Sequence, residues 1–127
     1  MLLFDAVADG KLEAVSTAWH CCLEFYSVST RLPMELRVPP SEALFLLTEE
    51  ILPRLRVVQL PREGIGAFLE SAGGERLIGG RIYDAHIAEI AKSAGAGIVV
   101  TNNQRHFTHL LKENIRVLTA DQFIALI

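Results

Sequence analysis

Asp84 and Glu24 are the two carboxylates whose surroundings point to chemistry. Stepping 100° per residue along the helix predicted around Asp84 puts Tyr83, Ile87, Ala88, Ile90, Ala91 and Ala94 on one apolar arc. His86, Glu89, Lys92 and Ser93 fill the opposite arc, and Asp84 projects inside the apolar one. An ionised carboxylate there is costly unless it is paired, hydrogen-bonded or bound to a metal. Asp84 equally suits a helix start, where a carboxylate meets the positive end of the dipole and bonds first-turn amides. The spacing supports both readings alike.

Glu24 stands in a narrow polar stripe with His20, Ser27 and Arg31. Ala18, Trp19, Cys21, Cys22, Leu23, Phe25, Tyr26, Val28 and Leu32 surround the rest of that helix, which predicts a mostly buried element. The stripe is either a solvated face or the one side of a buried helix shown to a cleft, and in both cases Glu24 and Arg31 are placed to pair electrostatically. A third polar group follows an apolar run: Thr101-Asn102-Asn103-Gln104-Arg105-His106-Phe107. In open parallel sheets functional groups gather at the carboxyl ends of strands, so these side chains are placed to line a cleft. An Asn-rich turn before a helix explains them as well.

The elements that position these residues can be read from the breaks at Pro39-Pro40, Pro61, Gly73-Gly74, Gly79-Gly80 and Gly95. Residues 1–9 read as a helix that stops at Gly10. The pattern then predicts a strand at Leu12–Val15, a helix capped by Ser16 or Thr17 and running to about Arg31, and a helix from Pro40-Ser41 to about Leu52. A strand at Leu55–Leu60 and a helix at Arg62–Ser71 follow. Arg81–Ala94 reads as a helix closed by Gly95, and Ile98–Thr101 as a strand covered on both faces. A short helix near Arg105–Leu111 leads to a strand at Ile115–Leu118, and Thr119-Ala120-Asp121-Gln122 is a capping box for the last helix. Strands alternating with helices predict an α/β fold with a parallel sheet sandwiched by helices.

Composition narrows the function classes. The 127 residues are 50% hydrophobic and 21% charged, with a mean hydropathy of +0.31, which excludes a disordered chain. No apolar run approaches the ~18–20 residues that cross a bilayer, and Met1-Leu2-Leu3-Phe4 has no basic n-region, so no membrane and a cytoplasmic address are expected. A net charge of −3 confines any nucleic-acid contact to local patches, and nine of the twelve basic residues are Arg, which suits specific phosphate or carboxylate contacts. Cys21 and Cys22 are adjacent and apolar-flanked, and they read as core thiols in a reducing compartment. His106 and His109 sit three apart with no third ligand nearby in sequence and are not read as a zinc site, while His86 reads as solvated. No phosphate-binding glycine loop and no nucleophile motif is present.

Three segments resemble, in order and spacing, the conserved blocks of PIN domains. Ser16–Val28 resembles the block whose Glu is metal-associated, Gly79–Ala88 the block with a second acidic residue, and Gly97–Phe107 the block T-x-D/N-x-x-x-F. The resemblance is strongest to VapC-type toxins of toxin–antitoxin pairs, and it covers almost the whole chain. It implies a PIN-like three-layer α/β/α sandwich with a parallel sheet, formed by residues 1–127 as a single domain. It also implies Mg²⁺- or Mn²⁺-dependent endoribonuclease activity. Carried over, Glu24 and Asp84 are metal-associated carboxylates, Asn103 holds a position that is often Asp, and Thr101 orients that shell. Arg81 and Arg105 are the candidates for RNA phosphate contact. The implied partners are an RNA substrate, a VapB-like antitoxin and a second copy in a homodimer.

One departure accompanies the resemblance. The family opens with a strand carrying a metal-binding Asp, whereas only nineteen positions separate Asp5 from Glu24, and Asp5 falls in a helix-like segment. Asp5 is therefore not taken as that ligand. The chain reads as a PIN domain that starts late, without its first strand, which leaves strand edges unpaired and apolar faces uncovered. Three readings follow in order: a PIN ribonuclease whose sequence here starts late; a catalytically inactive PIN-like module that binds an antitoxin or RNA; and a different small α/β enzyme in which Asp84 does other work.

Overall fold

Short apolar runs between proline- and glycine-marked breaks give short strands here, each three residues long and each followed by helical structure. The computed structural model describes residues 3–10, 12 and 14–127. The elements in order are α1 (Leu3–Ala8), β1 (Ser16–Ala18), α2 (Trp19–Thr30), α3 (Pro40–Phe45) with a π-helical continuation (Leu46–Ile51), β2 (Arg56–Val58), α4 (Arg62–Gly74), α5 (Arg81–Ser93), β3 (Ile98–Val100), 3₁₀ turns at Gln104–His106 and Thr108–Glu113, β4 (Arg116–Leu118) and α6 (Ala120–Leu126). No helix among the described residues is long and apolar enough to cross a membrane. Contacts divide the chain into two compact units, residues 6–59 and residues 60–127 with the start of the chain.

In the unit of residues 6–59, β1 and β2 pair in parallel with Thr17 opposite Val57. The strand expected at Leu12–Val15 lies instead at Ser16–Ala18; Glu13 of the expected segment is outside the described residues. Ala14 is left-handed, with φ 54°, so an extended run cannot include it, and the ladder begins where the Arg56 amide donates to the Val15 carbonyl at 2.9 Å. Ser16 and Thr17 are consequently strand residues rather than caps. The N-cap of α2 is Ala18, which has no side chain to offer. Nor is α2 mostly buried. Cys22 and Ser29 are buried, but Trp19, Leu23 and Tyr26 are exposed. Pro40 starts α3 at a position where its missing N–H costs nothing. The helix widens at Leu46, where the Leu52 amide reaches back to the Leu47 carbonyl at 2.9 Å, and the Thr48 hydroxyl donates to the Leu44 carbonyl at 2.9 Å.

In the unit of residues 60–127, β3 and β4 pair in parallel with Val99 opposite Val117. Ala88, Phe107, Leu110 and Ile115 form a buried core, and Ile87, Val99 and Val117 pack on it. The middle of the α5 apolar arc read from the sequence, Ile87, Ala88 and Ile90, is thus the part that is buried or packs, while Tyr83 and Ala94 at its ends are exposed. The helix ends in a Schellman motif, with Gly95 at φ 71°, its amide donating to Lys92 O at 3.1 Å and the Ala96 amide to Ala91 O at 3.0 Å. The expected short helix near Arg105–Leu111 is two 3₁₀ turns. The capping box on α6 is present as read, with the Gln122 amide donating to Thr119 Oγ1 at 3.1 Å and the Thr119 amide to Gln122 Oε1 at 2.9 Å.

The strands make two separate two-stranded parallel sheets, β1–β2 and β3–β4, where a single parallel sheet was expected. The arrangement is mixed α/β with small parallel sheets, an order of elements consistent with a PIN-like topology.

Candidate functional site

The densest grouping of polar side chains from the sequence reading sits just past the end of β3. Thr101 is anchored there by its amide, which donates to the Leu118 carbonyl at 2.9 Å and prolongs the β3–β4 ladder. Its hydroxyl then accepts from the Asn103 amide at 3.1 Å, a side-chain turn that reverses the chain direction. The 3₁₀ turn follows, closed by the His106 amide on Asn103 O and the Phe107 amide on Gln104 O, both at 3.0 Å. Phe107 is buried in the core, so the turn is held from its far end too.

Gln104 fastens the turn sideways. Its Nε2 donates to the Val117 carbonyl at 3.1 Å and to Gln122 Oε1 at 2.8 Å. Gln122 Oε1 also accepts from the Thr119 amide, so the α6 cap and this turn share one acceptor. The sequence pointed to Gln122 as a capping residue and did not single out Gln104.

Asp84, in the first turn of α5, meets His106 from this turn. His106 Nδ1 lies 2.7 Å from Asp84 Oδ2, with the two side chains 25% and 23% exposed. With Asp84 as a carboxylate, its oxygen accepts and the facing Nδ1–H of His106 is the donor of this pairing. Asp84 is therefore partly buried and hydrogen-bonded, and it also stands in the first turn of α5, so both readings of it left open by the spacing describe it. His106 was read in the polar segment after β3 and beside His109, but it was not matched to Asp84, which lies 22 residues away in sequence. The signal available was the apolar arc around Asp84, which was compatible with a partner without naming one. His86 also departs from its solvated reading: its ring packs on Phe68 with centroids 5.6 Å apart.

The other candidates fall as follows. Asn103, Arg81 and Arg105 are exposed, and Thr101 is half-buried. Glu24 belongs to the unit of residues 6–59. Its carboxylate is 57% exposed and lies 3.6 Å from His20 Nε2, one helical turn earlier, in place of the pairing expected with Arg31. Glu24 borders an open groove of about 390 Å³ lined by Cys21, Phe25, Val28, Ser29 and Leu32, nearly all of it apolar. Burial pushes the Cys21 and Cys22 thiols up, and the nearby Glu24 carboxylate adds to this for Cys21. That direction suits unreactive thiols rather than nucleophiles, although of the two expected core thiols only Cys22 is buried, and Cys21 is half-buried on the groove.

The resemblance implies Mg²⁺ or Mn²⁺, hard cations that take oxygen ligands. Among the described residues, no three His, Cys, Asp or Glu side chains gather to hold a metal ion. Among the described residues of the unit 60–127, the carboxylate beside this turn is Asp84, and one of its two oxygens is engaged by His106. A single carboxylate with one oxygen already engaged does not fit a divalent cation held within this unit.

No protein-family model matches the chain, and no solved structure matches it. A 69-residue stretch is 38% identical to "Ribonuclease VapC27" of Mycobacterium tuberculosis (strain ATCC 25618 / H37Rv), covering 54% of this chain and 48% of that protein. The chain spans about half the length of the curated relative it matches. The chain thus has a distant, partial homology to a VapC-type PIN-domain ribonuclease.

Proposed function

We propose that this chain is a PIN-like module of the VapC type that binds an antitoxin-like protein or RNA without cleaving RNA itself. The observation that carries the reading is the state of Asp84, a carboxylate that the resemblance associates with the metal, which is already bonded to His106, with no metal-holding cluster among the described residues. Exposed Trp19, Leu23 and Tyr26 on α2 supply the large apolar and aromatic side chains that anchor protein partners. Exposed Arg81 and Arg105 supply the planar cations that contact phosphate. The test is to mix the purified chain with labelled single-stranded RNA and, separately, with a co-expressed small antitoxin-like protein, with and without Mg²⁺ or Mn²⁺. Retention of either partner without metal-dependent cleavage is the expected result. Cleavage that needs the metal and disappears in Asp84→Asn overturns it.

A second reading is favoured by the name of the relative, a ribonuclease. In it the chain is the toxin of a type II toxin–antitoxin pair and a Mg²⁺- or Mn²⁺-dependent endoribonuclease, with Glu24, Asp84, Thr101 and Asn103 at its centre. The same cleavage assay decides between the two.

A further inference from the structure

We propose that the His106 imidazole, rather than a divalent cation, is the resident partner of Asp84, and that it keeps cations off this carboxylate. The inference rests on the binding-module reading and adds the group responsible for it.

The contact is built from rigid parts. Asp84 stands on a 13-residue helix whose apolar arc is anchored in the core by Ala88. His106 lies on a turn held at three points: the Thr101 hydroxyl behind it, the Gln104 side chain beside it and buried Phe107 after it. The 2.7 Å separation is at the short end for N–H···O and within the range of charge-assisted bonds. Both side chains are about three-quarters buried, so a carboxylate without this partner would bear an uncompensated desolvation cost. A cation approaching Asp84 has to share or displace a hydrogen bond that the fold already supplies.

The opposite role for His106 makes the opposite prediction. Hydrogen bonds to a metal-ligating carboxylate strengthen cation binding, and their loss costs ~10–100-fold in affinity. If His106 instead occupies the carboxylate, its removal frees a ligand oxygen and affinity rises.

The experiment is a Mn²⁺ titration of the full chain, read by the electron paramagnetic resonance of free Mn²⁺ and by paramagnetic broadening of the Asp84 and Ala85 amide signals. Wild type, His106→Ala, Asp84→Asn and the double variant are compared, and amide spectra verify folding. The expected result is no selective broadening in the wild type, about a tenfold or greater gain in affinity in His106→Ala, and loss of that gain in the double variant. Unchanged or weaker affinity in His106→Ala overturns the proposal. Should His106→Ala not fold, the wild-type imidazole ¹⁵N spectrum decides. A proton retained on Nδ1 and signals unbroadened by stoichiometric Mn²⁺ support the pairing; selective broadening of the ring rejects it. Metal-dependent RNA cleavage that survives Asp84→Asn would defeat the binding-module reading while leaving the pairing intact, so the two can fail separately.

Discussion

His106 Nδ1 meets Asp84 Oδ2 at 2.7 Å, joining the turn after β3 to the first turn of α5. Each side chain is about a quarter exposed, so water softens the loss when one partner is removed. Asp84→Ala and His106→Ala are each expected to lower unfolding free energy by about 1 kcal/mol, the scale of a net hydrogen bond. Urea denaturation of the two single variants and the double variant measures the coupling. Additive effects would show that the contact contributes nothing.

Gln104 and Gln122 form the second tie on the same turn. Gln104→Ala removes two hydrogen bonds and is expected to cost about 1–2 kcal/mol. Because Gln122 Oε1 also caps α6, Gln104→Ala and Gln122→Ala should be non-additive. Amide hydrogen exchange offers a local readout, with the amides of His106 and Phe107 losing protection in Gln104→Ala while α4 keeps its own.

Gly95 closes α5 in the left-handed region, and a Cβ there would meet open space. Gly95→Ala therefore brings backbone strain without a steric clash, and a loss of about 1 kcal/mol is expected. Gly97, which has no positive φ and also faces open space, is the control; Gly97→Ala should cost measurably less by thermal denaturation.

Leu110 is 0% exposed and sits among Ala88, Phe107 and Ile115. Leu110→Ala should cost about 2–5 kcal/mol, the range for a large-to-small change that leaves a cavity. In a small chain that is a large share of total stability. Denaturant midpoints test this, and a cost below that of Gly95→Ala would mean the core is not packed as described.

Cys21 and Cys22 predict a pH dependence. Burial raises both above the ordinary thiol value of 9.0, which favours the neutral thiol in the folded chain. A raised folded value gives a stabilising contribution that is complete below the unfolded value and is lost as pH climbs through the folded one. Alkylation by iodoacetamide near pH 8 should be slower in the folded chain than in urea. The protection should shrink as pH passes 9.0. Cysteines that react equally fast folded and unfolded would contradict the burial.

Local signals carried far in this chain. The Thr119 capping box, the Gly95 helix end and the Pro40 helix start depend on residues within two turns of one another and were legible as written, and the middle of the α5 arc packs as read. For Asp84 the spacing left two readings open, a paired carboxylate and a helix-start carboxylate, and both features are present: it lies in the first turn of α5 and is bonded to His106. Where a longer-range choice intervened, the local signal failed. Ser16 and Thr17 are good caps, yet parallel pairing with Arg56 and Val57 drew them into β1. The apolar circumference of α2 suggested burial, but exposure depends on what covers a helix, and Trp19, Leu23 and Tyr26 are uncovered.

The sequence by itself determined which residues are candidates and where some helices begin or end, at Pro40, Gly95 and Thr119, because capping acts through bonds a few residues long. Only the tertiary structure decided that Asp84 is held by His106, that Gln104 locks the turn to α6, and that Glu24 faces His20 rather than Arg31. The first two contacts span 22 and 18 residues, and chain folding alone brings their atoms within bonding distance. In the third, His20 lies one helical turn before Glu24 within α2, whereas Arg31 is the cap residue beyond the helix end.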